Sequence, residues 1–493
     1  MDKKKEAIYT SGPIGTRMLK TAFGMLAGTL AMSGYNIVDT FFVGKLGKIP
    51  LAAMGFTFPV VMLIGCIFHG LGTGVMTTSA QALGGNKHSK AAKLVTSGGV
   101  LIGLFSIFLA VLGYFTSGPL FELFGARGET LNEVTGYMNI WFFGCATASL
   151  SMLGNNILIA VGDPKNAGRL MVLGLLLNAL FDPLFIFGWG PIPGGGIRGA
   201  ALATILSQCV ATVTAFLVVS RKHHLITFER IPWKEVRAAW GLMIHYAVPA
   251  SLGMLMMPLG SSIITWITAR FGDAAVAATA ASGRLEMLAF VFPMALGMSL
   301  ISMIGQNYGA RLYSRIRICF KFAMWYAFLF LLGMAVIYFF CADWLVGIFA
   351  PKDDPAVHDI MVDCLRITAW GFGMIEIHRY AGFFYIGCGR PAVAAWLNAL
   401  RILGLMLPFS FLALYFQSLT GLFWARFLAD VLAGGTGLIL AGRMVHRLLP
   451  AEDGAPPPAK HEKDSLFKRV FRRRNLPAFA TAQTKIDIDS STQ

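Results

Sequence analysis

The sequence contains few charged residues and no clustered cysteines. Asp, Glu, Lys and Arg make up 13% of the 493 residues, whereas hydrophobic residues make up 56%, and the mean hydropathy is +0.65. This composition excludes an ordinary soluble domain. The seven cysteines are scattered singly, without C-x-x-C spacing or a histidine at zinc spacing, which is typical of small packing residues. We therefore expect no metal and no cofactor.

Catalytic signatures are also missing. The sequence has no H-E-x-x-H, no G-x-S-x-G and no phosphate-binding glycine loop, which disfavours a membrane-embedded enzyme. No short apolar segment with a small-residue cleavage site precedes the first hydrophobic span, so we expect no removable signal peptide. The net charge of +16 is not accompanied by a basic domain interleaved with aromatic residues, so we expect no binding to nucleic acid.

Two stretches of the chain repeat each other. Residues 47–89 align without a gap with residues 272–314, at a constant offset of 225 positions. The residues shared at this offset include Gly47/Gly272, Ala52/Ala277, Ala53/Ala278, Leu71/Leu296, Gly72/Gly297, Gln81/Gln306, Gly84/Gly309 and Ser89/Ser314. Such a repeat indicates an internal duplication. Duplicated bundles of membrane helices are the usual build of secondary transporters, whose substrate site lies near mid-membrane between the halves.

The hydrophobic pattern predicts the membrane topology, because about 20 apolar residues cross the hydrocarbon core. Twelve stretches qualify, near 17–43, 51–80, 93–118, 134–160, 167–188, 199–220, 239–269, 275–306, 318–341, 359–388, 392–415 and 419–446. We predict an all-α integral membrane protein with two six-helix lobes, residues 1–225 and 226–449, followed by a basic tail, 450–493. Since six spans per lobe is an even number, the lobes should be related by a pseudo-two-fold axis along the membrane normal.

Lysine and arginine are distributed unequally between the two sides of this topology. The side that holds both termini has 30 of them, and the other side has only Lys45, Lys48, Arg127, Arg198, Arg270 and Lys352. The positive-inside rule therefore places both termini in the cytoplasm. We expect a multi-pass protein of a prokaryotic inner membrane, monomeric, with membrane lipid and small-molecule substrates as its partners.

The tail has a segment with two interpretations. In KHEKDSLFKRVFRRRN, residues 460–475, Leu466, Phe467, Val470 and Phe471 share one helical face and basic residues surround them. Such a segment can lie on anionic lipid of the inner leaflet. A solvated, disordered tail is an equally good interpretation.

Two carboxylates lie at one depth of the first lobe. Asp39 precedes Lys45 by six residues and Asp182 precedes Trp189 by seven, which places each roughly 9–10 Å below the outer interface. Asn36 and Asn178 lie at i−3 and i−4, so each acid has an amide on its own helical face. Pro183 is expected to kink the fifth helix beside its acid. Because a carboxyl in the membrane is unfavourable, we expect the pair to bind a proton or a small cation.

Several motifs resemble one transporter family. They are VDTFFVGKLGKIPLAAMG (38–55), GDPKNAG (162–168), LNALFDPLFIF (177–187), GIRGAALATILSQ (196–208) and YIGCGRP (385–391). Together, in this order and spacing, they resemble the multidrug and toxic compound extrusion (MATE) family over about residues 10–447. The resemblance implies an outward-facing V-shaped cavity and export of compounds, often amphipathic cations, in exchange for H⁺ or Na⁺.

The resemblance extends to a branch of that family and to roles for individual residues. In the DinF-like branch, the acids that match Asp39 and Asp182 belong to a first-lobe network coupled to H⁺. Our candidates for its other members are Tyr137, Asn155, Asn178 and Thr204. The sodium-linked pattern has an acid in the seventh helix, whereas residues 244–269 contain neither Asp nor Glu. Na⁺ coupling is therefore the weaker alternative.

The second lobe has its own charges at membrane depth. They are Arg284, Glu286, Glu376, His378, Arg379, Arg401, Arg426 and Asp430. Arg426 and Asp430 are spaced i, i+4, which predicts an ion pair. Because the two signs are nearly balanced, we favour a static network that stabilises the lobe. The alternative is that the arginines line a path for an anionic or zwitterionic substrate, as a lipid-linked oligosaccharide flippase of the same superfamily would need.

Overall fold

The computed structural model describes residues 7–349 and 355–456, and within them the chain is almost entirely helical. The first lobe contains α1 (Ile14–Gly44), α2 (Lys48–Gly84), α3 (His88–Leu123), α4 (Gly128–Ala160), α5 (Pro164–Phe187) and α6 (Gly196–Arg221). The second contains α7 (Trp233–Thr268), α8 (Asp273–Gly309), α9 (Tyr313–Phe340), α10 (Ala342–Phe349), α11 (Pro355–Thr368), α12 (Phe372–Gly387), α13 (Pro391–Ala399), α14 (Leu407–Tyr415) and α15 (Leu419–Arg443).

Ten helical segments among the described residues are long and apolar enough to cross a membrane. The other two crossings are α1, and α11 with α12, which the turn Ala369–Gly371 separates into two shorter helices. The prediction of twelve spans in two six-helix lobes is thereby confirmed. Most helices extend a few residues beyond the predicted hydrophobic cores.

Several small elements are absent from the prediction. A two-residue hairpin, β1 (Gly188–Trp189) with β2 (Ile192–Pro193), follows α5, and the short helix α10 follows α9. A π-helical segment, Leu400–Met406, joins α13 to α14 and contains Arg401. π-Helical turns within α-helices are frequent at functional sites.

The lobes meet along one half of α2. Its glycines Gly70 and Gly74 lie so close to α7 that an added Cβ would overlap the backbone of Ala247 or Met243. By contrast, Gly55 and Gly65, in the half near Lys48, have open space around their Cα atoms. Contact between the lobes is therefore close on the side of the chain termini. From the lack of such contact around Gly55 and Gly65 we infer that the cleft between the lobes opens on the opposite side.

The closest inter-lobe contact follows the sequence repeat. At Gly84 of α2 an added Cβ would overlap the carbonyl oxygen of Gln306 in α8, and at Gly309 it would overlap that of Gln81. The four residues form two equivalent pairs of the 225-residue repeat. Only glycine permits this crossing of two helix backbones, so the repeat places the axis between the lobes here.

Both ends of the described chain pack on the same side. Tyr9 is buried, its amide donates to Gln306 Oε1 (3.0 Å), and its carbonyl accepts from Asn307. After α15, the Ser314 amide donates to Asp453 Oδ1 (2.8 Å), and the Gly454 amide donates to the Arg311 carbonyl. The start of the predicted tail thus packs against the beginning of α9, and residues 457–493 lie outside the described part.

Candidate functional site

The two acids of the first lobe lie near matching ends of neighbouring helices. Asp39 is five residues from the end of α1 at Gly44, and Asp182 is five residues from the end of α5 at Phe187. At about 1.5 Å per residue both lie about 7–8 Å from their helix ends, on the side where the cleft is open. Asp39 is 7% exposed and Asp182 is fully buried.

The acids interact with each other and share one amide. Asn178 donates from Nδ2 to Asp182 Oδ1 (3.2 Å), as the i−4 spacing predicts, and it also lies within reach of Asp39. The two carboxyl groups are close enough for a side-chain hydrogen bond between them. One oxygen of each, Asp39 Oδ1 and Asp182 Oδ2, accepts no hydrogen bond from the described residues. The pair therefore has free capacity to bind a proton or a cation.

Hydroxyl groups from α1, α4 and α6 surround this carboxyl pair. Tyr35 shares a hydrogen bond of 2.9 Å with Ser207 and also approaches Thr204, whose own Oγ1 has no described partner. Buried Tyr137 lies within electrostatic range of both acids and of Tyr35. Sequence reasoning missed Tyr35 and Ser207. Tyr35 is i−4 to Asp39, so the spacing that identifies Asn178 would have identified it.

The other predicted residues of the first lobe are not all shown beside the acids. Asn155 lies 18 residues after Tyr137 in α4, about 27 Å along the helix, so it is not beside the acids. The side chain of Asn36 lies outside the described part. Pro183 is inside α5, directly after Asp182, and the kink expected there stays a prediction.

The second lobe pairs its charges across helices. Both carboxylate oxygens of Glu286, in α8, accept a hydrogen bond from the guanidinium group of Arg426, and the one at Oε1 is 3.2 Å long. Oε1 accepts a further hydrogen bond from Thr368 Oγ1 (2.8 Å). Asp430 instead accepts from Arg401 Nε (2.7 Å). The predicted Arg426–Asp430 pair is therefore wrong. The i, i+4 rule considers one helix, whereas Glu286 and Arg401 approach from neighbouring elements.

The remaining charges are less completely satisfied. Arg379 Nη1 lies 2.9 Å from Glu376 Oε2, yet neither oxygen of this fully buried carboxylate accepts a well-directed hydrogen bond from the described residues. His378 Nε2 shares a hydrogen bond of 3.1 Å with Asn398 Oδ1. Arg284 is exposed on α8. Three arginines thus pair with three acids, an arrangement that supports a static network.

No metal centre is evident in residues 7–349 and 355–456, where no three His, Cys, Asp or Glu side chains converge. A charged cluster does lie outside the membrane, in the turn between α4 and α5. Asp163 Oδ2 accepts hydrogen bonds from Lys222 Nζ (2.6 Å), His223 Nε2 (2.9 Å) and Asn166 Nδ2 (2.8 Å). Burial opposes ionisation of Asp163, but these donors outweigh it and hold its pKa well below the usual range.

The described geometry defines a class of protein. Two six-helix lobes meet on one side, separate on the other, and hold a buried carboxyl pair near the open end, as in secondary transporters. The MatE family model matches residues 25–184 and 249–412, once in each lobe. The chain therefore belongs to the MATE family, and it is a multi-pass membrane transporter, not an enzyme.

Known relatives agree with this assignment. The chain is 31% identical to a FAD transporter of Shewanella oneidensis, over 88% of this chain and 96% of the relative. It is 25% identical to the multidrug export protein MepA of Staphylococcus aureus, over 90% and 98% of the two chains. A crystal structure of the Vibrio cholerae MATE transporter VcmN superposes with a TM-score of 0.82, at 28% identity over 87% and 97% of the chains.

Proposed function

We propose that this transporter exports small amphipathic molecules, preferably cations, in exchange for protons bound by Asp39 and Asp182. The observation that supports the proposal is the carboxyl pair itself, which is buried, in mutual contact, and without a basic partner among the described residues. Two adjacent carboxylates repel each other, so a proton between them is stabilising. Proton uptake on one side of the membrane and release on the other then couple transport to the proton gradient.

The distribution of charge supports cationic substrates. In the second lobe the guanidinium groups of Arg379, Arg401 and Arg426 lie against carboxylates, which offset most of the positive charge of that lobe. In the first lobe Asp39 and Asp182 supply negative charge near the open end of the cleft. A cation that enters the cleft competes with the bound proton, which is the exchange that antiport requires.

The direction of transport depends on orientation. We place both termini in the cytoplasm of a prokaryotic cell, because 30 lysines and arginines lie on their side and six lie on the other. The cleft described above then opens to the outside. In this orientation the acid pair takes up protons from the external medium.

The proposal can be tested in proteoliposomes loaded with a fluorescent dye cation. Transport should follow an imposed pH gradient, fall when that gradient is collapsed at fixed membrane potential, and not require sodium. Asp39→Asn and Asp182→Asn should each abolish the response to the pH gradient. Asp359→Asn, which removes a carboxylate from an exposed position on α11, serves as the control. Full gradient-driven transport by Asp39→Asn, or transport driven by sodium alone, would disprove the proposal.

Similarity to a FAD transporter supports a second substrate class, anionic molecules. The FAD transporter is more similar in sequence than the multidrug exporter, and FAD is an anionic dinucleotide. Arg284 is exposed, and Arg426 is about one-third exposed despite its partner, so both can contact a pyrophosphate. The same proteoliposomes loaded with FAD distinguish the classes. Export of FAD that Arg284→Gln impairs, without export of the dye, would favour the anionic substrate.

A further inference from the structure

A groove runs between α1 and α5 on the surface that faces lipid, at the end nearest the chain termini. Its volume is about 520 Å³, and its lining includes Gly24 and Ala27 from α1 and Lys165, Arg169, Val172 and Leu176 from α5. The groove is outside the inter-lobe cleft, so neither the acid pair nor the charges of the second lobe account for it.

The polar end of the groove has uncompensated positive charge. Lys165 and Arg169 are spaced i, i+4 on α5 and both are exposed. Asp163, two residues before Lys165, already accepts hydrogen bonds from Lys222 and His223. Arg169 has only the side-chain oxygen of Asn166, at 3.4 Å, and within the described part neither base pairs with a carboxylate. Like charges at this spacing destabilise a helix, so the position favours a bound anion.

The rest of the groove is apolar. Val172 and Leu176 follow Arg169 along α5 toward the membrane interior, and Ala27 is exposed opposite them. The helices cross closely at Gly28 and Gly168, where an added Cβ would overlap the other helix. The small residues therefore leave a channel beside the crossing that no side chain of α1 fills. Its charge is at the interface and its apolar part is deeper, which is the orientation of a membrane lipid.

We propose that this groove binds one anionic phospholipid of the leaflet on the side of the termini. The phosphate lies between Lys165 and Arg169, and one acyl chain lies along Ala27, Val172 and Leu176. Because α1 carries Asp39 and α5 carries Asp182, the lipid lies between the two helices that hold the acid pair. The inference goes beyond the proposed transport activity and does not depend on the coupling ion or the substrate.

The test is native mass spectrometry of the delipidated full-length protein, titrated separately with phosphatidylglycerol and phosphatidylcholine. We expect one phosphatidylglycerol to bind in preference to phosphatidylcholine. Each basic residue near anionic lipid contributes about 1 kcal/mol to binding. Lys165→Gln/Arg169→Gln should therefore weaken this binding by about 2 kcal/mol, which corresponds to about 30-fold. Ala27→Trp, which fills the channel without a change of charge, should also weaken it.

Two controls distinguish this site from general attraction of anions. Lys234→Gln/Arg237→Gln removes the same charge from exposed positions at the start of α7 and should leave the binding unchanged. The exchange Lys165→Arg/Arg169→Lys keeps the charge and should retain it. The proposal would be overturned if the α7 variant lost as much affinity for phosphatidylglycerol, or if phosphatidylcholine bound equally well. It would also be overturned if glycerol 3-phosphate, at the same concentration as the lipid, competed for the site.

Discussion

Gln81 and Gln306, equivalent residues of the internal repeat, each donate a hydrogen bond to the other lobe. Gln81 Nε2 donates to the Gly387 carbonyl at the end of α12 (2.9 Å), and Gln306 Nε2 donates to the Ala160 carbonyl at the end of α4 (2.6 Å). The two acceptors are themselves equivalent, since G-D-P follows Val161 and G-R-P follows Cys388. The lobes are thus held together by a symmetric pair of amides beside the Gly84 and Gly309 crossing.

This relationship predicts an effect on the conformation of the transporter. Gln81→Ala/Gln306→Ala removes these two hydrogen bonds and also the two inter-lobe bonds that the same side chains accept, from the Tyr9 amide and the Tyr246 hydroxyl. Because each contributes roughly 0.5–1.5 kcal/mol, the equilibrium should shift toward lobes separated on the side of the termini by at least about 30-fold. Spin labels at exposed positions 90 and 321, one on each lobe, would report the shift as a longer distance. Each single variant should shift less than the double, and an unchanged distance distribution in all three would contradict the account.

The Glu286–Arg426 pair predicts a change in stability. Glu286→Gln should lower the free energy of unfolding by roughly 3–5 kcal/mol, because it leaves a guanidinium group without its counter-charge. Glu286→Leu/Arg426→Leu should recover much of that loss. Thermal unfolding of the purified variants measures both effects.

An exposed ion pair provides the control for that comparison. Asp343 and Arg366 lie at the outer surface of the same lobe, so Asp343→Asn should cost less than about 1 kcal/mol. Normal melting of Glu286→Gln together with lost ion coupling would instead locate the ion site in the second lobe.

The cluster at Asp163 predicts a pH dependence. Its pKa is lower in the folded protein than in the unfolded chain, so its stabilisation is complete above the unfolded value, about pH 4, and is lost as the pH falls below it. Asp163→Asn should therefore melt at a lower temperature than the wild type at pH 7. The difference should shrink as the pH falls below about 4. A constant difference across this range would show that the carboxylate charge is not responsible.

The residues after α15 predict different outcomes for two truncations. Residues 450–455 belong to the predicted tail, yet Asp453, Gly454 and Ala455 contact α9 and the turn that precedes it. Truncation after Pro456 should preserve transport and melting temperature, and should reduce binding to anionic vesicles. Truncation after Leu449 should also lower the melting temperature. Equal melting of the two truncated proteins would show that the contacts with α9 contribute no stability.

Much of the fold was predictable because the hydropathy pattern identifies each span from local sequence and the repeat shows that the two lobes are equivalent. The twelve spans need only local sequence, and the contact of Asn178 with Asp182 follows from helical spacing. Contacts between helices are not encoded in this way. The partner of Arg426 is 140 residues away in α8, so spacing within one helix indicated Asp430 instead. Asn155 shows a related error, because its residue type was suitable but its depth along α4 was not considered.

The central claim is that Asp39 and Asp182 hold an exchangeable proton, and infrared spectroscopy of the reconstituted protein measures this most directly. The wild type should show a protonated-carboxyl band that disappears reversibly as the pH is raised. Asp39→Asn/Asp182→Asn should lack that band, whereas Glu376→Gln, which removes another buried carboxyl group, should retain it. A titrating band that persists unchanged in the Asp39→Asn/Asp182→Asn protein would contradict the account.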